Sequence, residues 1–287
     1  MSAGLSAFGD ELGPRGRRKA LLASVIGGGV LLLLLLLAVA RLQERGQLDS
    51  ERWTEILSPA GIELLAGGLV KTLQAAALAI LLSVVVGMVM ALGRLSSVRP
   101  VRWLAGTYVE LFRALPSLLL ILFAFLALPE LLQALPFGPD RINRYAALVL
   151  GLTLYNSAVM AEIVRAGVLS LPKGQAEAAQ AIGLRKGQAQ RLVILPQAVS
   201  RMLPSLVAQG VVVLKDTSYG FVIGFEELLR RGQIAGEVTA DLLQAYVIVA
   251  VVYVAVCLAL SQVARSLESR QRRKYGRAAA SGGTRPA

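Results

Sequence analysis

The chain has 287 residues, 55% of them hydrophobic and 17% charged, against about a quarter charged in an ordinary soluble domain, and its mean hydropathy of +0.63 points to a protein whose solvent is mostly lipid. It carries a formal net charge of +12 and no histidine, which excludes histidine bases, histidine metal ligands and a Ser-His-Asp triad. A single cysteine, Cys257, excludes an internal disulfide framework, and the basic charge comes with neither zinc-finger spacing nor an aromatic platform for nucleic acid.

Six apolar segments follow in chain order, predicting an all-α integral membrane protein. Ala20 to Ala40 holds the unbroken Leu31–Leu37 run and, at about 1.5 Å per residue, is long enough to cross about 30 Å of hydrocarbon. Arg15, Arg17, Arg18 and Lys19 stand in the basic stretch 1–19 before it, and its length favours a retained anchor over a cleaved signal. Residues 41–63 mix acids and bases as a solvated, extracytoplasmic connector. The next spans are Leu73 to Leu92, Leu115 to Leu135, Tyr145 to Ala161, Met202 to Phe225 (interrupted by Lys215 and Asp216) and Leu242 to Ala264. The stretch 266–287 reads as a basic, disordered tail.

Charge asymmetry orients these spans. With the amino terminus inside, the inner segments collect Arg94, Arg99, Arg102 and Arg113, then Arg165, Lys173, Arg185, Lys186, Arg191 and Arg201, then the tail bases from Arg265 onward. The positive-inside rule therefore places both termini in the cytoplasm, of a plasma or inner membrane.

The connection between the fourth and fifth spans is too long for a simple turn. Pro172 offers a helix start, Lys173 to Ile182 is rich in alanine and other helix formers, and Gly183 supplies a left-handed stop. A second helix begins near Arg185 and runs through Ile194 and Leu195 until Pro196 ends its first stretch. A short helix with small side chains lets another protein approach closely, with Glu177 and Arg185 as polar anchors. An ordinary loop that happens to contain helices is the alternative.

Glu177-Ala178-Ala179, Gly183 and Ile194-Leu195-Pro196 resemble the EAA loop of ATP-binding-cassette importer permeases. Tyr108 to Arg113 with Pro116, Ala161-Glu162-Ile163 with Arg165-Ala166-Gly167, and Leu214 to Ser218 resemble the polar amino-acid branch of that family, the histidine, glutamine, arginine and glutamate type. The resemblance implies a five-helix permease core over residues 64–265, preceded by an extra helix at 20–40. It implies that loop 166–197 is a coupling helix docking on an ATPase, through Gly174, Glu177, Ala178, Ala179, Gly183, Ile194, Leu195 and Pro196. The implied partners are P-loop ATPase subunits, a second permease subunit (itself or a paralogue) and an extracytoplasmic amino-acid-binding protein. Ala114-Leu115 before the proline and Tyr219-Gly220 after Lys-Asp-Thr-Ser depart from the family's usual residues.

Other candidates come from polar residues inside spans, where a charge costs about 2.5–3.5 kcal/mol on insertion scales. Lys215 and Asp216, with Thr217 and Ser218, form a gate, a capture-protein contact or a structural brace: either the helix breaks there or each charge finds its own partner. Glu110 with Arg113, and Glu162 with Arg165, are spaced for i, i+3 pairing as packing or gating contacts, next to Pro116. Thr153, Tyr155, Asn156 and Ser157, with Glu162, are candidates for the translocation path, helix–helix hydrogen bonding being the alternative. The chain has no G-x-x-x-x-G-K-[ST] loop, so ATP and Mg belong on a partner ATPase, no cofactor is expected on this chain, and it is expected to be a transporter subunit rather than an enzyme. A secondary transporter would need several midplane carboxylates or an inverted repeat.

Overall fold

Sequence periodicity translates into helices joined by short connections, and a computed structural model describes them over residues 14–133 and 142–281. No strand occurs among the described residues. The chain divides into a unit ending at Glu55 and a second beginning at Ile56.

The first unit holds helix α1, Pro14–Glu44, with an Arg41–Glu44 ion pair of 2.8 Å on its last turn, and most of the short helix that follows. Leu31 to Leu37 all expose their side chains. An apolar surface of this length suits a lipid solvent.

A short helix, α2 (Ser50–Ile56), leads into the second unit. The connector expected at 41–63 is therefore largely helical, and the second span begins well before Leu73. Ser58 caps helix α3, Pro59–Arg94, by accepting from the Gly61 N–H at 3.3 Å, and Pro59 opens it where no N–H is needed.

Helix α4, Arg99–Ala114, and helix α5, Ser117–Leu122, are separated by extended backbone at Leu115 and Pro116. The α4 axis meets the following Ser117–Gln133 segment at 103°. That segment contains a π-helical turn, Phe123–Ala127, and helix α6, Leu128–Gln133. The expected single span from Leu115 is thus half of a broken pair, because proline keeps the residue before it out of helical conformation. Leu135, its expected end, lies outside the described residues.

Helix α7, Arg144–Leu169, starts on an Asn143 cap whose Oδ1 accepts from the Ala146 N–H at 2.7 Å. It is the centre of the fold, with α3, α4, α5 and the later helix α10 all packed on it. Gly87 of α3 permits one of these close approaches: a Cβ there would lie 2.8 Å from the Ser157 carbonyl. Helix α8 is Lys173–Ala181, and a single helical run then passes through α9, Lys186–Ala189, a π-turn, Gln190–Ile194, and α10, Leu195–Asp216. Pro196 does not end this run as expected. The wider π-turn before it absorbs the missing N–H and the clash with the preceding turn.

A 3-10 turn, Thr217–Ile223, and helix α11, Leu228–Thr239, follow, and α12 runs from Leu242 to Ser281. Helix α11 was not expected. The backbone expected to be disordered from Ser266 stays helical to Ser281. Among the described residues, five helices are long and apolar enough to cross a membrane, six if the bent pair is one span.

Candidate functional site

The α8 end of the bundle is built from local signals. Pro172 is the residue before the first turn, with ψ 132°, and α8 closes on Gly183 at φ +89°. The Leu184 N–H donates to the Ala179 carbonyl at 3.2 Å and the Gly183 N–H to the Gln180 carbonyl at 2.9 Å. This paired ending needs a left-handed residue, which glycine provides without steric cost. Ala179 and Ile194 are buried, and Leu171, Ile194 and Ala198 form the small core under the helix. Gly174, Glu177, Ala178, Gly183 and Pro196 are exposed, Leu195 is half-buried, and Ile182 points outward at 79% exposure. A cavity of about 310 Å³ lies between α8 and its neighbours, bordered by Val168, Leu171, Pro172, Ala176 and Gln180.

Beside it, Glu162 of α7 gathers three arginines. Arg165 chelates both of its oxygens, Arg94 Nη1 donates to Oε2 at 2.9 Å, and Arg113 Nη1 stands 4.0 Å from Oε2. The expected Glu162–Arg165 pair is present. The expected Glu110–Arg113 pair is replaced: Glu110 takes Arg94 at 3.4 Å, and Arg113 turns to Glu162. Arg94, at the last turn of α3, was not singled out from the sequence, because its partners lie 16 and 68 positions away. Pro116 stands at the start of α5, where the 103° bend lies.

The polar residues of mid-α7 are inside the subunit. Asn156 is fully buried, donates to the Leu152 carbonyl at 2.8 Å and accepts from Gln209 of α10 at 2.7 Å. Ser157 is buried against the Tyr108 hydroxyl at 2.8 Å. Thr153 is buried too, whereas Tyr155 and Glu162 keep part of their surface.

The opposite, α11 end holds a node that includes Thr217, expected as gate or brace, but whose centre, Glu227 with Tyr253, the sequence reading missed. Glu227 is fully buried and caps α11, accepting from the Leu229 and Arg230 N–H groups at 2.9 and 2.8 Å and from the Tyr253 hydroxyl at 2.7 Å. Thr72 of α3 accepts from the Leu228 N–H at 3.0 Å, and Thr217 is buried within reach of Tyr253. Burial pushes the Glu227 carboxyl above its usual range, and its hydrogen-bond donors oppose that shift. Next to it the exposed Glu226 bonds to Lys71 at 3.2 Å and Arg231 at 3.4 Å, and the Lys71 hydrogen bond holds it below the usual range. The available signal was a pair of acids directly before Leu-Leu-Arg-Arg, a helix-start pattern. Lys215 is exposed and Asp216 half-buried where α10 gives way to the 3-10 turn, so the helix does change at the charges. Ser218, half-buried, follows Thr217 in that turn.

The bundle is thus bent at Pro116, centred on α7 and flanked at one end by the short helix α8, which packs on Leu171, Ile194 and Ala198. Residues 83–273 match the binding-protein-dependent transport system inner membrane component family, and the chain belongs to that family. It is 38% identical over 232 residues to the glutamate transport system permease protein GluD of Corynebacterium glutamicum, covering 80% of this chain and 84% of that protein. It is also 38% identical over 207 residues to the probable glutamine ABC transporter permease protein GlnP of Bacillus subtilis, covering 71% and 92%. A solved amino acid ABC transporter, crystallised with histidines, superposes with a TM-score of 0.66 at 34% identity, covering 72% of this chain and 94% of that one. A methionine ABC transporter in an inward-facing form shares the fold, with a TM-score of 0.59 at 19% identity.

Proposed function

We propose that this chain is the permease subunit of an ATP-driven importer of a polar amino acid, with both termini in the cytoplasm. Helix α8 carries the reading: a glycine-terminated, alanine-rich helix packed by one face on Leu171, Ile194 and Ala198, with Glu177 and Ala178 facing outward. Such a surface fits a groove on a P-loop ATPase subunit, where ATP and Mg bind. Closure of two ATPases pulls the α8 helices together and opens the pathway outward to receive the amino acid from a separate extracytoplasmic binding protein. Hydrolysis resets it inward. Relatives named for glutamate, glutamine and arginine transport support the polar amino-acid class.

Within that cycle, the Glu162 cluster is the brace that rearranges near the coupling helix, since it ties α3, α4 and α7 through solvent-accessible ion pairs. Tyr155 and Glu162 keep the surface needed to line a path. Thr153, Asn156 and Ser157 act as fixed helix contacts beside it.

The test is a mild detergent pull-down of the tagged chain from its native membranes, with uptake measured in parallel. Recovery of a P-loop ATPase in equal amount, with ATP-dependent amino-acid uptake, is the expected result. Recovery of the chain alone with uptake intact would overturn the assignment in favour of a secondary transporter.

A further inference from the structure

Helix α4 presents three faces, and one of them is packed: Ala105 and Val109 are buried where α4 meets α3 and α7. Val101, Leu104 and Leu111, spaced as a helical stripe, are exposed, Leu104 at 62%. Arg99, Arg102, Glu110 and Arg113 form a second exposed stripe, and Trp103, 70% exposed, lies between the two. The α4 axis stands 103° from the following Ser117–Gln133 segment, so where that segment crosses the bilayer, α4 runs along its surface. A helix with one apolar and one cationic face suits that position, its apolar side chains among acyl groups, its arginines among headgroups and its tryptophan at the boundary.

Between the charged face of α4 and Arg94 of α3 and Arg165 of α7 lies a polar cavity of about 390 Å³, bordered also by Arg102, Trp103, Thr107 and Glu110. Its cations are not equivalent. Arg94 and Arg165 are held by Glu162, and Glu110 takes Arg94 at 3.4 Å. Arg102 has no carboxylate within 4 Å among the described residues, and its Nη1 donates to the Ser96 carbonyl at 3.0 Å. Two glutamates cannot neutralise Arg94, Arg99, Arg102, Arg113 and Arg165 together, so the site keeps a net positive charge. Gly106 also borders the cavity, and a Cβ there would meet nothing within 4 Å, which leaves room for a ligand against the α4 backbone.

A cavity of this charge and size fits a phosphate group, which a guanidinium binds through two parallel N–H groups. The setting decides what carries the phosphate. A free anion makes no use of the apolar stripe or of Trp103, whereas a phospholipid has acyl chains for both, and basic pockets at a cytoplasmic membrane face select anionic headgroups. We propose that this cavity binds the headgroup of an anionic phospholipid, with its phosphate on Arg102 and its acyl chains along Trp103, Leu104 and Leu111. The importer reading enters only in assigning the cytoplasmic leaflet; the site rests on the geometry of α4.

The test uses the full-length chain carrying Trp53→Phe, which leaves Trp103 as its remaining tryptophan, in neutral detergent with phospholipids brominated on their acyl chains. Bromine quenches a tryptophan that it touches. Brominated phosphatidylglycerol should quench Trp103 at about tenfold lower mole fraction than brominated phosphatidylcholine. Arg102→Gln should remove that preference and Arg102→Lys should retain most of it. Gly106→Leu, which fills the cavity and leaves every charge in place, should remove it too, with thermal unfolding of each variant confirming that it folds. Equal quenching by the two lipids would overturn the proposal in favour of a helix lying in lipid without a headgroup site. Quenching by neither would overturn it in favour of a face covered by protein. A preference that survives Gly106→Leu would replace the cavity with diffuse surface charge, and one abolished by an equimolar amount of inorganic phosphate would replace the lipid with a free anion. The readout needs neither uptake nor an ATPase, so failure of the importer reading leaves this site standing, and failure here leaves that reading untouched.

Discussion

The two ends of this bundle hold a glutamate in opposite ways. At the α8 end, Glu162 keeps 24% of its side chain exposed and is held by three arginines from three helices. At the α11 end, Glu227 is fully buried and held by two backbone N–H groups and a tyrosine hydroxyl, none of them charged. Ion pairs that keep part of their surface in water can exchange partners, because three cations compete for one carboxylate and solvent covers part of the loss. A buried carboxylate has no substitute donor, so its partners stay where they are. The contrast describes an end beside α8 whose ion pairs can be exchanged and an end, where α11 packs between α3 and α12, whose contacts are fixed.

The sharpest way to break that contrast is Glu227→Ala, which removes the α11 cap and strands the Tyr253 hydroxyl. It is expected to cost about 3 kcal/mol in detergent unfolding, and a loss below about 1 kcal/mol would remove the rigid end from the comparison. Next comes Gly183→Val, where a β-branched residue at φ +89° costs about 1–2 kcal/mol of local strain. ATP hydrolysis by the assembled transporter should continue while uptake falls, with membrane insertion intact; unaltered uptake counts against the coupling role of α8. Glu162→Gln should cost about 1 kcal/mol or less in the same unfolding assay, and a loss matching that of Glu227→Ala would erase the difference between the ends.

The smallest effect concerns pH. Glu226 is held below the usual carboxylate range by Lys71, so its contribution is complete above the unfolded value of about 4.3 and fades as pH falls through the folded one. The pair is half-exposed, which limits it to a few tenths, about 0.5 kcal/mol. Unfolding of Glu226→Gln against wild type between neutral pH and about pH 3 should show the gap between them narrowing on acidification. A constant gap would mean the Lys71 contact contributes nothing.

Much of this was legible along the chain. The apolar runs located most of the spans, and proline, alanine and glycine placed α8 within a residue of its observed ends, because capping and propensity act over a few neighbours. The Glu162–Arg165 pair was legible for the same reason, being one helical turn long. What the linear sequence determined, then, was the medium, the helices and the local stops. Tertiary structure alone decided that Glu110 pairs with Arg94 rather than Arg113, that Asn156 and Ser157 turn inward to Gln209 and Tyr108, and that Glu227 meets Tyr253 and its neighbour Leu228 meets Thr72. Those contacts join residues far apart in the chain, and their formation depends on which helix faces are driven together by packing, a choice that no local pattern of residue types encodes.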